Sequence, residues 1–289
     1  MVRRILSLTS GRVAFTILSL IALLAVLGPL LAPQDPLAGS QNTLAGISGQ
    51  HWLGTDYLGR DVFSRLLDGS RISVIGSLEV ALVALVVGAV PGILSVYLGR
   101  VFEWLSLRFM DSLITLPFLV FAIAMTALLG NGLHQAMFAV GILVAPGFYR
   151  VTRAAALAVA SSQYVEAARL VGASPWWVVR THLWAKIAPT IAVSTAGMLG
   201  AGLVIVSSLT FLGIGVQPPE PTWGGLLATD LRFLYQRPYG PLIPGILIVL
   251  TVGAFNGLAD ALRDGARSAG QTVVRARVLP VAERTSHVR

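Results

Sequence analysis

The chain reads as an all-α membrane protein of about six transmembrane helices, with both termini on the cytoplasmic side. Three observations carry that reading. Hydrophobic residues make up 55% of the 289 positions and charged residues only 12%, at a mean hydropathy of +0.77. A soluble domain carries about 25% charged residues, so this balance suits lipid. Apolar runs long enough to cross about 30 Å of hydrocarbon, roughly 20 helical residues, recur along the chain. The cations are also unevenly placed: with the N-terminus inside, five of the 21 lie in outer segments (Arg60, Arg65, Arg71, Arg232 and Arg237) and the rest in inner ones. That asymmetry is the one cytoplasmic loops show.

The first span is Val13–Ala32, preceded by Arg3, Arg4 and Arg12. Its apolar run exceeds the roughly 7–15 residues of a signal-peptide core, and Leu30-Leu31-Ala32 is no small-x-small cleavage site, so an uncleaved helix is expected. A long outer segment follows, from Pro33 to about Ile72. The second span, Val74–Leu98, holds Glu79, the one carboxylate clearly inside a span. A charge there costs about 2.5 kcal/mol or more, so Glu79 either lines a polar pathway or sits near the outer interface within reach of water. The third and fourth spans are Met110–Gly130 and the shorter Ala136–Tyr149, which Thr152–Val159 extends as helix.

The fifth span, Ile187–Leu212, contains Ala196, Gly197, Gly200, Ala201 and Gly202 at small-xxx-small spacing. Such residues let backbones approach closely, within the subunit or against a second one. Between the fifth span and the sixth, Leu242–Leu262, the prolines of Gln217–Gly225 forbid continuous helix. That segment is expected outside the membrane, either as a plain loop or dipping back as a gate. The chain divides into residues 1–70 (tail, first helix and outer loop), a five-helix core at 71–265 and a basic tail at 266–289.

The inner loop, about Arg150 to Lys186, is too long for a simple turn. Ser161-Ser162 offers an N-cap, and Glu166 then falls where a negative charge meets the positive end of the helix dipole. Gly172 suits a left-handed helix closure. Ser174-Pro175 restarts a helix with serine as cap and proline at its first position. Tyr164, Ala167, Ala168 and Val171 share one face whose middle is two methyl groups. Glu166 and Arg169, spaced i, i+3, lie on a neighbouring face and can pair or meet a partner. On periodicity alone, an interfacial helix packing on its own protein, rimmed by Trp176 and Trp177, fits as well as a docking element.

Glu166-Ala167-Ala168, then Gly172, His182 and Pro189, resembles the cytoplasmic loop of permease subunits of ATP-binding-cassette importers. His51-Trp52-Leu53-Gly54-Thr55-Asp56-Tyr57-Leu58-Gly59-Arg60-Asp61 resembles the outer segment of the C-type permease of dipeptide, oligopeptide and nickel importers. Arg108-Phe109-Met110-Asp111 with Pro117, Leu209 to Pro219 with Trp223-Gly224, and Ala254-Phe255-Asn256 with Asp260, Arg263 and Asp264 are similar to further stretches of that family.

The resemblance implies the type I importer permease fold in a bacterial or archaeal cytoplasmic membrane. It implies a sister permease, two ATPase subunits or domains carrying ATP and Mg²⁺, and an extracytoplasmic peptide-binding protein as partners. It implies ATPase coupling through Glu166, Ala167, Ala168 and Gly172, with Tyr164, Arg169 and Ala173 expected beside them; Glu79, from its charge within a span, and Asn256 are the candidates for the pathway. Two departures stand out: Ala185-Lys186 replaces the family's common Pro-Asn, and Val206 replaces a common glutamate. The first predicts a straighter second loop helix.

Other chemistries find no support. There are no cysteines, hence no disulfides, thiolate metal sites or thiol nucleophiles. No G-x-x-x-x-G-K-[S/T] loop precedes Lys186, the only lysine, so the chain binds no ATP or other cofactor in the usual way. His51, His134, His182 and His287 are scattered without HExxH spacing, and no G-x-S-x-G accompanies the serines. A nucleic-acid reading would need base-stacking aromatics among the basic residues, and the tail after Arg263 has none; membrane lipid is the arginines' expected neighbour. The remaining alternatives are the same role for nickel or another small solute, an ion-driven secondary transporter, and a structural subunit without a pathway.

Overall fold

The computed structural model describes residues 9–130 and 132–277, with the backbone alone for Arg169, Pro175, His182, Ala185 and residues 267–277. Arg3, Arg4 and the end of the basic tail, including Arg284 and Arg289, lie outside the described residues. Among those described, five helical runs are long and apolar enough to cross a membrane.

Helix α1 is Thr9–Leu31 and α2 is Val62–Ala84. Asp61 caps α2, its carboxylate accepting from the Ser64 N–H at 2.8 Å, which starts the helix twelve residues before the Val74 expected from hydropathy. The first turns, with Arg65, Asp68 and Arg71, are polar enough to stand above the hydrocarbon. A π-turn, Leu85–Ala89, carries α2 into α3, Val90–Leu94.

This α2–α3 rod lies against α6, Leu133–Ala160, at backbone distance. A Cβ on Gly88 would sit 2.2 Å from the Ala145 carbonyl, one on Gly92 2.3 Å from Thr152 Oγ1, and one on Gly141 2.5 Å from Val83 Cβ. Small residues on both helices thus set the spacing, as in other membrane helix pairs.

The expected third span, Met110–Gly130, is not one helix. It is split at Thr115–Pro117 into α4, Arg100–Ile114, and α5, Phe118–Leu129, which meet at 100°. Pro117 supplies the reason: it donates no N–H, and it stands as the N-cap residue of α5 with extended backbone. Helix α4 is pinned to α6 by ion pairs Arg150–Asp111, at 3.0 Å, and Arg153–Glu103, and by the Ser106 and Tyr149 hydroxyls at 2.8 Å.

After the inner loop come α9, Trp184–Phe211, α10, Trp223–Arg232, and α11, Leu242–Arg277. The small-residue stripe on α9 divides. Gly200 faces Phe255, Asn256 and Val252 of α11, and Gly202 faces Ser77 of α2, whereas Gly197 has open space around it. Two of its glycines therefore pack inside the subunit. The core sits where α2, α6 and α9 meet, around Val80, Met137, Val140, Val206 and Leu209. A second cluster joins α1, α2, α9 and α10 through Ile21, Leu66, Leu203, Trp223 and Leu226.

Candidate functional site: the cytoplasmic loop

Two short helices form the loop, α7 at Gln163–Leu170 and α8 at Pro175–Val178. A π-turn, Val179–Leu183, leads from α8 into α9, so the second arm runs continuously into the transmembrane helix, but through a softened turn rather than straight. Ser162 stands at the start of α7, its carbonyl accepting from the Val165 and Glu166 amides. Its hydroxyl turns back to the Val159 carbonyl instead of capping the new helix.

At the other end Gly172 holds φ +86°, and the Ala173 N–H donates to the Ala168 carbonyl at 3.0 Å. That is the six-to-one closure of a Schellman turn, with glycine at its left-handed position. Ser174 Oγ accepts from the Trp177 N–H at 3.2 Å, capping α8.

Val165 is the anchor. Its side chain is 0% exposed and belongs to a cluster of Ala156, Val159, Val178, Leu183 and Ile187, drawn from the foot of α6, from α8, from the π-turn and from the foot of α9. Ala173 is half-buried against the same cluster. With Val165 facing inward, Glu166 and Ala167 are exposed and Ala168 is half-buried at the edge. The side chain of Arg169 lies outside the described set.

Leu170 and Val171 are 84% and 85% exposed. Two adjacent aliphatic side chains this far into solvent, beside the open methyl of Ala167, form an apolar tip with no intramolecular partner among the described residues. Residue spacing alone did not single out Leu170. The signal available was the run Leu170-Val171 immediately before a helix-closing glycine.

Tyr164 lies at the rim of α7, and the Lys186 ammonium sits 4.3 Å from its ring centroid. Burial pushes the phenol up, but Lys186 and the Ser162 hydroxyl outweigh it, and the pKa falls below the usual tyrosine value. This contact links α7 to the third residue of α9, and the sequence reading missed it.

The two pathway candidates are not brought together. Glu79 meets His134 at 2.6 Å, level with the outer start of α6, while one carboxylate oxygen, Oε2, is buried without a partner. Asn256 is exposed on α11, with its side chain over Gly200 of α9.

The outer segments contain a different kind of order. Asp56, Arg60, Asp61, Arg65 and Arg237 are all buried. Asp56 pairs with Arg60 at 2.7 Å and lies 3.5 Å from Arg65, and Asp61 meets His51 at 3.0 Å. Arg237 donates to the carbonyls of Thr55 and Leu53 at 2.9 and 2.7 Å. The proline-rich Gln217–Gly225 segment is not a plain loop: it turns inward to Trp223, fully buried, whose N–H donates to Ser73 Oγ at 3.0 Å and whose indole donates to the Leu66 carbonyl at 3.3 Å.

Residues 68–265 match the family model described as "Binding-protein-dependent transport system inner membrane component". The chain is 35% identical over 249 residues to a probable D,D-dipeptide transport system permease of Escherichia coli K12, covering 86% of this chain and 84% of that one. It is 37% identical over 219 residues to a glutathione transport system permease of Pectobacterium atrosepticum, at 76% and 73% coverage. Against a dipeptide transport system permease of Alkalihalophilus pseudofirmus the identity is 33% over 254 residues, at 87% and 83%. With its apolar helices and this match over most of its length, the chain belongs to the family of binding-protein-dependent transport system inner membrane components, as a multi-pass permease subunit and not an enzyme.

Proposed function

We propose that the chain forms half of the translocation pathway of an ATP-binding-cassette importer for short peptides. A sister permease supplies the other half, and an extracytoplasmic binding protein delivers the cargo. Two ATPase subunits, holding ATP and Mg²⁺, grip the loop from below. The cargo class rests on the relatives, whose names specify dipeptide or glutathione transport. The docking element is α7, and the observation that carries it is the bare apolar tip Leu170-Val171 beside Ala167, projecting from a helix bolted through Val165 to α6 and α9. Exposed aliphatic pairs seek a complementary groove. Tyr164, Glu166, Ala168, Arg169, Gly172 and Ala173 complete the element by capping, rimming or closing it. Glu79 and Asn256 are the polar groups offered to the pathway.

The absence of cysteine makes a direct test simple. A Val171→Cys variant, assembled with its partners in proteoliposomes, should crosslink to an ATPase subunit, and the yield should change between ATP-bound and nucleotide-free states. Crosslinks confined to this chain, whatever nucleotide is supplied, would refute the docking assignment. Uptake of a labelled dipeptide dependent on a dipeptide-loaded binding protein would establish the cargo; uptake of nickel without dipeptide uptake would overturn it.

A further inference from the structure

We infer that Lys186 is a positioning residue for coupling: its ammonium, held over the Tyr164 ring, ties α7 to the foot of α9 so that loop and transmembrane helix move as one body. This rests on the reading above that α7 receives work from an ATPase.

The argument is mechanical. Among the described side chains of α7, Val165 alone is fully buried, and a helix held along a single inward line can roll about its own axis. Rolling would turn the Leu170-Val171 tip without moving α9. A second attachment away from that line prevents it. Tyr164 provides one, because the Lys186 nitrogen lies 4.3 Å from its ring centroid, inside the roughly 6 Å over which a cation is attracted to an aromatic face.

The position of the tie along the chain matters equally. Between α8 and α9 lies the π-turn Val179–Leu183, and such turns interrupt the regular ladder of a helix. A push delivered only through α8 would be absorbed there. The Tyr164–Lys186 contact bypasses that turn and joins the second residue of α7 directly to the third of α9. Lys186 is the only lysine in the chain. Among the described residues it forms no ion pair with a carboxylate.

The test uses the assembled importer in proteoliposomes, measuring peptide taken up per ATP hydrolysed. Lys186→Gln keeps most of the stem and removes the charge; the ratio should fall about fivefold, the factor equivalent to 1 kcal/mol. Tyr164→Leu should match it, Lys186→Arg should retain coupling, and Tyr164→Phe, which keeps the ring face but removes the phenol oxygen that Lys186 also meets, should fall between the two. A series of increasingly fluorinated phenylalanines at position 164, with progressively less negative ring faces, should lower the ratio stepwise, which a merely space-filling role would not do. An unchanged ratio in Lys186→Gln and Tyr164→Leu, or a flat fluorination series, would overturn the inference while leaving the Val171→Cys crosslink, and thus the docking reading, intact. Absence of that crosslink in an otherwise unaltered chain would defeat the docking reading and this inference together.

Discussion

Replacing Gly172 by alanine, asparagine and valine separates backbone strain from bulk at the end of α7. Gly172 holds φ +86°, and a Cβ added there meets nothing within 4 Å, so within this chain only the backbone resists a side chain. An L-residue in the left-handed region costs about 1–2 kcal/mol, with asparagine the most tolerant of the three and β-branched valine the least. A loss of 1 kcal/mol reduces the closed turn about fivefold relative to its alternatives, and 2 kcal/mol about thirtyfold. What is lost is the Ala173-to-Ala168 bond that ends the helix, and with it the placement of Leu170 and Val171. The assay is uptake per ATP hydrolysed by the reconstituted importer, at matched membrane insertion. The expected order is Gly, then Asn, then Ala, then Val. Alanine outperforming the larger asparagine would show that crowding of a docked partner decides, and valine equal to glycine would refute the strain argument altogether.

Two further substitutions probe the outer half. A Cβ on Gly224 would lie 2.1 Å from the Ser207 carbonyl oxygen and 2.4 Å from Thr210 Oγ1. Gly224→Ala should therefore cost about 1–3 kcal/mol or more, seen as a lower melting temperature in detergent and a red-shifted Trp223 emission. Arg237→Ala removes two hydrogen bonds to the outer loop and leaves Asp230 without its cation. Breaking a buried pair in this way costs about 3–5 kcal/mol, and limited proteolysis should then cut residues 33–61 faster, leaving the spans protected.

Much of the architecture was legible because hydropathy measures what lipid demands. The apolar runs fall on five of the observed helices, although α2 begins twelve residues before its run and α6 and α11 continue well past theirs. The corner at Thr115–Pro117 was missed because hydropathy carries no direction: the expected span opened at Met110, in the last turns of the amphipathic α4, and ran on through the apolar α5. The buried Trp223 was out of reach because its partner, Ser73, lies 150 residues away in sequence. Counting Arg60, Arg65 and Arg237 as plain loop charges missed that they form an interior net of ion pairs and carbonyl contacts. In the cytoplasmic loop, the glycine closure and the Ser174 cap are local chemistry and could be read directly. Which side of α7 faces its own protein could not, because a period of 3.6 defines faces without ranking them; Val165, outside the expected face, proved to be the inward one. The tie to Lys186 depends on a fold-back across 22 residues, which no local pattern encodes.

The short helix after the corner has a consequence for the surrounding lipid. Phe118–Leu129, twelve residues, rises only about 18 Å, well short of an average acyl layer. The backbone at Thr115–Pro117 and at Gly130 is not helical, and unpaired peptide groups do not face hydrocarbon. A helix this short is matched by local thinning of the bilayer where lipid meets it, or by a second subunit covering the flank.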